Sequence, residues 1–237
     1  RRHMPDAAAY PPLPTSHGPG DSRINLFVYL ADQNPGHDRS FGISRMTQSV
    51  LAALLKSGMV ALETISSRTS QQGPPDAHAN HVLPWGTRRK WMRLLTDHLH
   101  PLFVRPEAAG TVFYFPKGYL PWWHNFCRPS VVTIHDTIIQ YDEDHYPAWR
   151  KPREYSYWAR LLKHTLRHAD HIMTVSQSSR RQIEDFMSRH GIPRNDITVT
   201  YEPCIHEEIP QPTIRQRQGA TSVAEGKIDA GQTNCQH

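Results

Sequence analysis

A histidine and an aspartate stand side by side where an apolar run ends, in VVTIHD, residues 131–136. A neutral imidazole both donates and accepts hydrogen bonds, and an ionised carboxylate accepts them. His135 is therefore suited to hold a hydroxyl or to steady charge at a reacting centre. Asp136 has two readings. It orients His135 or a neighbouring loop, or it forms an Asx turn with the backbone two residues on, and the turn is preferred.

Other residues of chemical interest are spread along the chain. Gly36 and Gly42 bracket a loop that runs into Ile43 and Ser44 at the start of an apolar periodic stretch. The amides at such a helix start favour anions, and an ordinary capping turn explains the same residues. His164 and His168 are four apart, a spacing that can bind zinc, but the glutamate of HExxH is missing and surface histidines are expected. Asp142, Glu143, Asp144 and His145 make an acidic cluster, read as a solvated loop. Trp122, Trp123 and His124 suit either stacking on a sugar face or a core corner. Arg150, Lys151, Arg153, Arg160, Lys163 and Arg167 face Glu154 alone, with Trp149, Tyr155 and Trp158 nearby. That stretch, 149–168, suits a solvated helix face or peripheral contact with an anionic membrane.

The elements that must position these residues alternate. INLFVYL (24–30) reads as a strand. ISRMTQSVLAALLKSG (43–58) reads as a helix through Ile43, Met46, Val50, Leu51, Leu54 and Leu55, with Ser44 as cap and Gly58 as stop. MVALETI is a second strand, 66–87 a loop, and RRKWMRLLTDHLHPLF (88–103) a helix. TVFYFP and SVVTIH are strands. A long helix follows over 147–169, with Tyr155, Trp158, Leu162, Leu166 and Ala169 on one face. HIMTVS is a strand, Ser176 caps a helix over 177–190 that stops at Gly191, and ITVTYEP is the last strand. Such alternation predicts an α/β fold with a mainly parallel sheet and helices on both faces. Ligands then bind at the carboxyl ends of the strands, which is where His135 and Asp136 stand.

The order of these pieces resembles the N-terminal domain of family 4 glycosyltransferases, the retaining GT-B group. The matching stretches are GISRMTQSVLAALLKSG, FPKGYLP, VVTIHDTIIQYDEDHYP and YWARLLKHTLRHADHIMTVSQSSRRQIEDF. The resemblance covers about residues 24–206 and is most specific from 131 onward. It implies a Rossmann-like domain, 23–206, that holds the acceptor, with a second such domain holding a nucleotide-diphosphate sugar. It implies that His135 lies near the donor sugar and is catalytic. Gly42, Ile43, Ser44 and Asp136 would stand on the donor-phosphate side. Lys117, Gly118, Trp122 and Trp123 would stand on the acceptor side. The nucleotide sugar is a co-substrate, and no cofactor or metal is implied. The acceptor is a glycan or a lipid-linked molecule.

The chain departs from the family pattern: its glycine loop is atypical, with only Gly36 and Gly42 and the bulky Phe41. No two glutamates have the Glu-(x)7-Glu spacing of the family's second domain. About 30 residues follow Ile205, fewer than the roughly 50 a domain needs. The expectation is a truncated chain, inactive alone, with a disordered segment at 1–22 and an irregular tail at 207–237. The rival reading is a non-catalytic module that binds acceptor or partner and needs a separate donor-binding subunit.

Composition sets limits. The chain has 237 residues, a formal charge of +5 and 38% hydrophobic residues, with mean hydropathy −0.63. The charge permits a nucleic acid, an acidic membrane or a phosphorylated substrate and selects none. No zinc-finger, RNP or KH signature is present and the basic residues are dispersed, so nucleic acid is not expected. Three cysteines without a CxxC argue against a disulfide framework or zinc ribbon and fit a reducing compartment. No signal pattern or long apolar run is visible. The expected location is cytoplasmic, including the inner face of the membrane.

Overall fold

The computed structural model describes residues 23–33, 41–70, 72–146, 148 and 151–201. The segments 1–22 and 202–237 lie outside the described residues, as do Gly36, Trp149 and Arg150. The described chain forms β1 (Ile24–Tyr29), α1 (Phe41–Lys56), β2 (Val60–Ser67), β3 (Ala79–Leu83), α2 (Lys90–Phe103), β4 (Val112–Phe115), β5 (Ser130–Ile134), α3 (Ile138–His145), α4 (Pro152–His168), β6 (His171–Thr174), α5 (Gln177–Arg189) and β7 (Ile197–Val199).

The strands are β-branched and aromatic, and they alternate between two apolar faces. Leu26 and Val28 on β1, Leu62 on β2 and Tyr114 on β4 point to one side, where Leu51 of α1 covers them. Phe27 and Tyr29, Phe113 and Phe115, and Val132 and Ile134 point to the other. There Trp158, Leu162 and Leu166 of α4 and Ile183 and Phe186 of α5 close the core. On that side the α2 residue His100 stacks on Tyr29, ring centroids 4.2 Å apart. Each fully buried Leu, Ile or Phe contributes about 1.5–3 kcal/mol. A sheet apolar on both faces requires the crossover connections that parallel strands demand, and every strand pair is parallel. The strand order is β3-β2-β1-β4-β5-β6-β7. This is the α/β, Rossmann-like sheet with helices on both faces that the alternation predicts.

The helix ends follow local chemistry. Pro152 opens α4, because a residue without an N–H costs nothing in the first turn. The helix expected from 147 therefore begins five residues later. Ser176 caps α5, its Oγ accepting from the Ser179 amide at 3.0 Å. Gly58 and Gly191, at φ 67° and 60°, follow α1 and α5 as left-handed stops.

Three local expectations are corrected. Ser44 lies inside α1 rather than capping it. The stretch 66–87, read as loop, contains the end of β2 and the edge strand β3. β3 is held by Asn80, whose side-chain oxygen accepts from Thr64 Oγ1 at 2.8 Å, and by His81 beside Glu63 at 3.4 Å. The acidic cluster 142–145 forms the last half of α3 rather than a loop. Its Asp144 pairs with Arg189 at 2.7 Å.

Candidate active site

The strand order reverses between β1 and β4. In an open parallel sheet the connections on either side of that point leave in opposite directions, and a crevice opens at the carboxyl ends. The chain places Asp32 and Gln33 just after β1, Lys117 and Gly118 just after β4, and His135 just after β5.

Direct contacts join these loops. Lys117 Nζ donates to the main-chain oxygen of Asp32 at 2.6 Å, bridging the ends of β1 and β4. His135 Nε2 lies 2.8 Å from the Pro116 carbonyl oxygen. A carbonyl only accepts, so Nε2 carries the proton in this contact. Gly118 has φ 99°, and a Cβ there would stand 3.3 Å from the Thr133 carbonyl oxygen. The turn after β4 therefore passes close against the end of β5, and only glycine permits it.

Asp136 takes the turn-forming role. Its Oδ1 accepts from the Ile138 amide at 3.1 Å, two residues on, and opens α3. It is exposed.

The first turn of α1 stands one loop away from β1. It carries no acidic residue. Gly42 is exposed and a Cβ there would meet nothing within 4 Å, while Ile43 is half-buried and Ser44 buried. Free amides and the helix dipole make this turn favourable to an anion.

The most informative atoms are ones that sequence reasoning passed over. Asp32 is 8% exposed and Gln33 fully buried. Asp32 Oδ1, Gln33 Oε1 and Ser44 Oγ are buried without a hydrogen-bond partner. Native proteins rarely leave such groups unpaired, because each costs about 1–3 kcal/mol. Asp32 and Gln33 directly follow β1, and Gln33 Nε2 donates to Thr47 Oγ1 of α1 at 3.3 Å, so the unpaired acceptors of this loop mark a place for hydrogen-bond donors. Burial raises the pKa of Asp32, while Lys117 and Arg93 pull it down. Behind it, Asp97 of α2 accepts from the Tyr29 hydroxyl at 2.7 Å. Burial, and then the charge of Asp32, push Asp97 up to about 7. The signal for Asp32 and Gln33 was the polar run ADQ directly after an apolar strand. Nothing local in the sequence marks Asp97.

Trp122 and Trp123 are not brought to this crevice. After Gly118 the chain runs back along α4: the Leu120 amide donates to Thr165 Oγ1 at 3.0 Å, and His124 stacks on His168 at 4.4 Å. The carboxyl end of α4 leads into the amino end of β6, the end of the strands opposite His135. The two indoles are 44% and 48% exposed there. His164 and His168 are more than isolated surface rings. They pack with His124, and Trp122 lies 4.8 Å from His164. Among the described residues, no three His, Cys, Asp or Glu side chains gather as metal ligands. Nor is any described helix long and apolar enough to cross a membrane.

Set beside known protein families, residues 42–204 match Glycosyltransferase Family 4. No curated protein matches the chain.

Proposed function

This chain belongs to glycosyltransferase family 4, and on that premise we propose that the described domain is the acceptor side of a retaining glycosyltransferase. The reaction moves a sugar from a nucleotide-diphosphate donor to a hydroxyl of a glycan or lipid-linked acceptor. The observation that carries this reading is the set of unpaired buried acceptor atoms on Asp32 and Gln33, beside Lys117 and His135 at the switch-point crevice. Sugar hydroxyls are the donors such atoms lack. A buried carboxylate that accepts from a hydroxyl gives a stronger bond than a neutral acceptor.

The other parts have compatible chemistry. The Pro116 carbonyl fixes the ring of His135 at the strand end, where the histidine can hydrogen-bond a hydroxyl of the reacting sugar. Glycosyl transfer passes through an oxocarbenium-like state, and prepositioned dipoles act on it without reorganising. The first turn of α1 suits the donor phosphates, its amides facing negative charge. Asp136 acts one step back by fixing the turn that leads from His135 into α3.

The test is acceptor binding. Saturation-transfer NMR on the full chain, with a panel of mono- and disaccharides and lipid-linked sugars, should reveal a bound class. Asp32→Asn should weaken it about tenfold, the loss of one charge-assisted hydrogen bond. Equal binding by the variant, or no binding across the panel, would remove the acceptor reading.

A further inference from the structure

The outer stripe of α4 faces a second cleft. Arg160, Lys163, His164, Arg167 and His168 recur at three- and four-residue spacing, so they share one side of the helix. Leu161, Leu162, Thr165 and Leu166 occupy the opposite side and are buried. Trp122 from the segment after β4 and His190 at the end of α5 complete a cleft of about 380 Å³.

Among the described residues, no acidic side chain lines this cleft. Several other arginines are paired with carboxylates. Arg128 pairs with Asp170, Arg180 with Glu184, Arg189 with Asp144 and Asp185, and Arg194 with Asp196. Among the described residues, Arg160, Lys163 and Arg167 meet no carboxylate. Arg160 Nε donates only to the main-chain oxygen of Ser156, at 3.2 Å. Like charges three and four residues apart repel on a helix, so this arrangement costs stability that an anion would return. The imidazoles respond to the same field. Partial burial comes first, and then nearby histidines and cations; together they hold His164, His168 and His190 below the usual histidine range. Neutral imidazoles at His168 and His190 still offer an N–H to an oxyanion.

We propose that this cleft is a second binding site, for an anion bearing a phosphate group, on the edge of the domain opposite His135. Two arginine forks and a lysine match the oxygens of a phosphomonoester or diphosphate. Trp122, at the rim, offers a ring face and an indole N–H to whatever body carries the phosphate. The site is independent of the transfer reading, because it uses none of the crevice residues. The phosphate has two sources with one chemistry, a soluble phosphorylated compound or a phospholipid headgroup. Trp123, next to Trp122 in the chain, and Phe126, 6.5 Å from its ring, are exposed, 48% and 49%, and would meet a lipid surface in the second case.

The experiment uses the full chain. Inorganic pyrophosphate is titrated by calorimetry into the wild type, the Lys163→Gln/Arg167→Gln double variant, Trp122→Ala and a charge-matched control, Lys56→Gln/Arg181→Gln. One-to-one binding is expected, weakened about tenfold or more in the double variant and unchanged in the control. Thermal melts confirm that the variants stay folded. In a second arm the proteins are sedimented with phosphatidylcholine vesicles, plain and doped with phosphatidic acid. Binding to doped vesicles that pyrophosphate competes away assigns the lipid source. Pyrophosphate binding without vesicle binding assigns the soluble source. Equal pyrophosphate affinity in wild type and double variant, or no binding by either, overturns the site. Acceptor binding at the crevice is unaffected by this outcome, so the two proposals fail separately.

Discussion

Replacing Asp97 by asparagine should stabilise the protein at pH 8 and leave it unchanged near pH 4. Asp97 sits beneath the crevice, where burial and the neighbouring charge of Asp32 raise it to about 7. An unfolded aspartate titrates near 3.9. Between those values the native state holds a proton that the unfolded chain has released, so stability falls as pH rises from about 4 to about 7. Above that range both states are ionised and the penalty is complete. A shift of about three units corresponds to about 4 kcal/mol at most, at 1.36 kcal/mol per unit. Asp97 is only partly buried, so solvent screening reduces this to about 2 kcal/mol. Asparagine keeps an oxygen for the Tyr29 hydroxyl and removes the charge. For a domain of this size about 2 kcal/mol is worth about 4–8 °C in Tm. Thermal melts by circular dichroism at pH 4 and pH 8 read the difference directly. A variant that melts at or below wild type at pH 8, or that gains equally at both values, would refute the reasoning.

Two further expectations concern the fold. Ser176→Ala removes the Oγ that caps the Ser179 amide and should cost about 1 kcal/mol by urea denaturation, with the slope unchanged. Cys127 is buried and its thiol is pushed up to about 12 by burial. It should resist iodoacetamide in the native protein and react fully in denaturant, as peptide mass mapping would show.

The sheet was legible because strand and helix alternate, with apolar runs of strand length separated by 3.6-period segments. What stayed hidden was short, polar or dependent on tertiary order. β3, ANHVL, is an edge strand with outward polar side chains, so it lacks an apolar run. α3 has eight residues and an acidic end, and its start depends on the Asp136 side chain turning back onto Ile138. Ser44 looked like a cap because a hydroxyl preceded the periodic stretch, yet the helix begins three residues earlier at Phe41. His135 was placed by the rule that strand ends carry sites. Asp32 and Gln33 needed the strand order, since only the reversal between β1 and β4 turns that loop into a crevice wall. Trp122 and Trp123 follow a strand end in sequence, but the chain doubles back along α4 before it reaches them.

Sugar transfer itself tests the central claim most directly. Wild type and His135→Ala, each completed with a donor-binding domain of the family, are supplied with a panel of UDP- and GDP-sugars and the acceptor class found by NMR, and the anomeric configuration of the new bond is read from its coupling constant. The account predicts a product that keeps the donor's configuration, formed about 10²–10³ times more slowly by the variant, as expected for loss of one prepositioned group at the reacting centre. Inverted product, undiminished turnover in His135→Ala, or no transfer from any donor would contradict it.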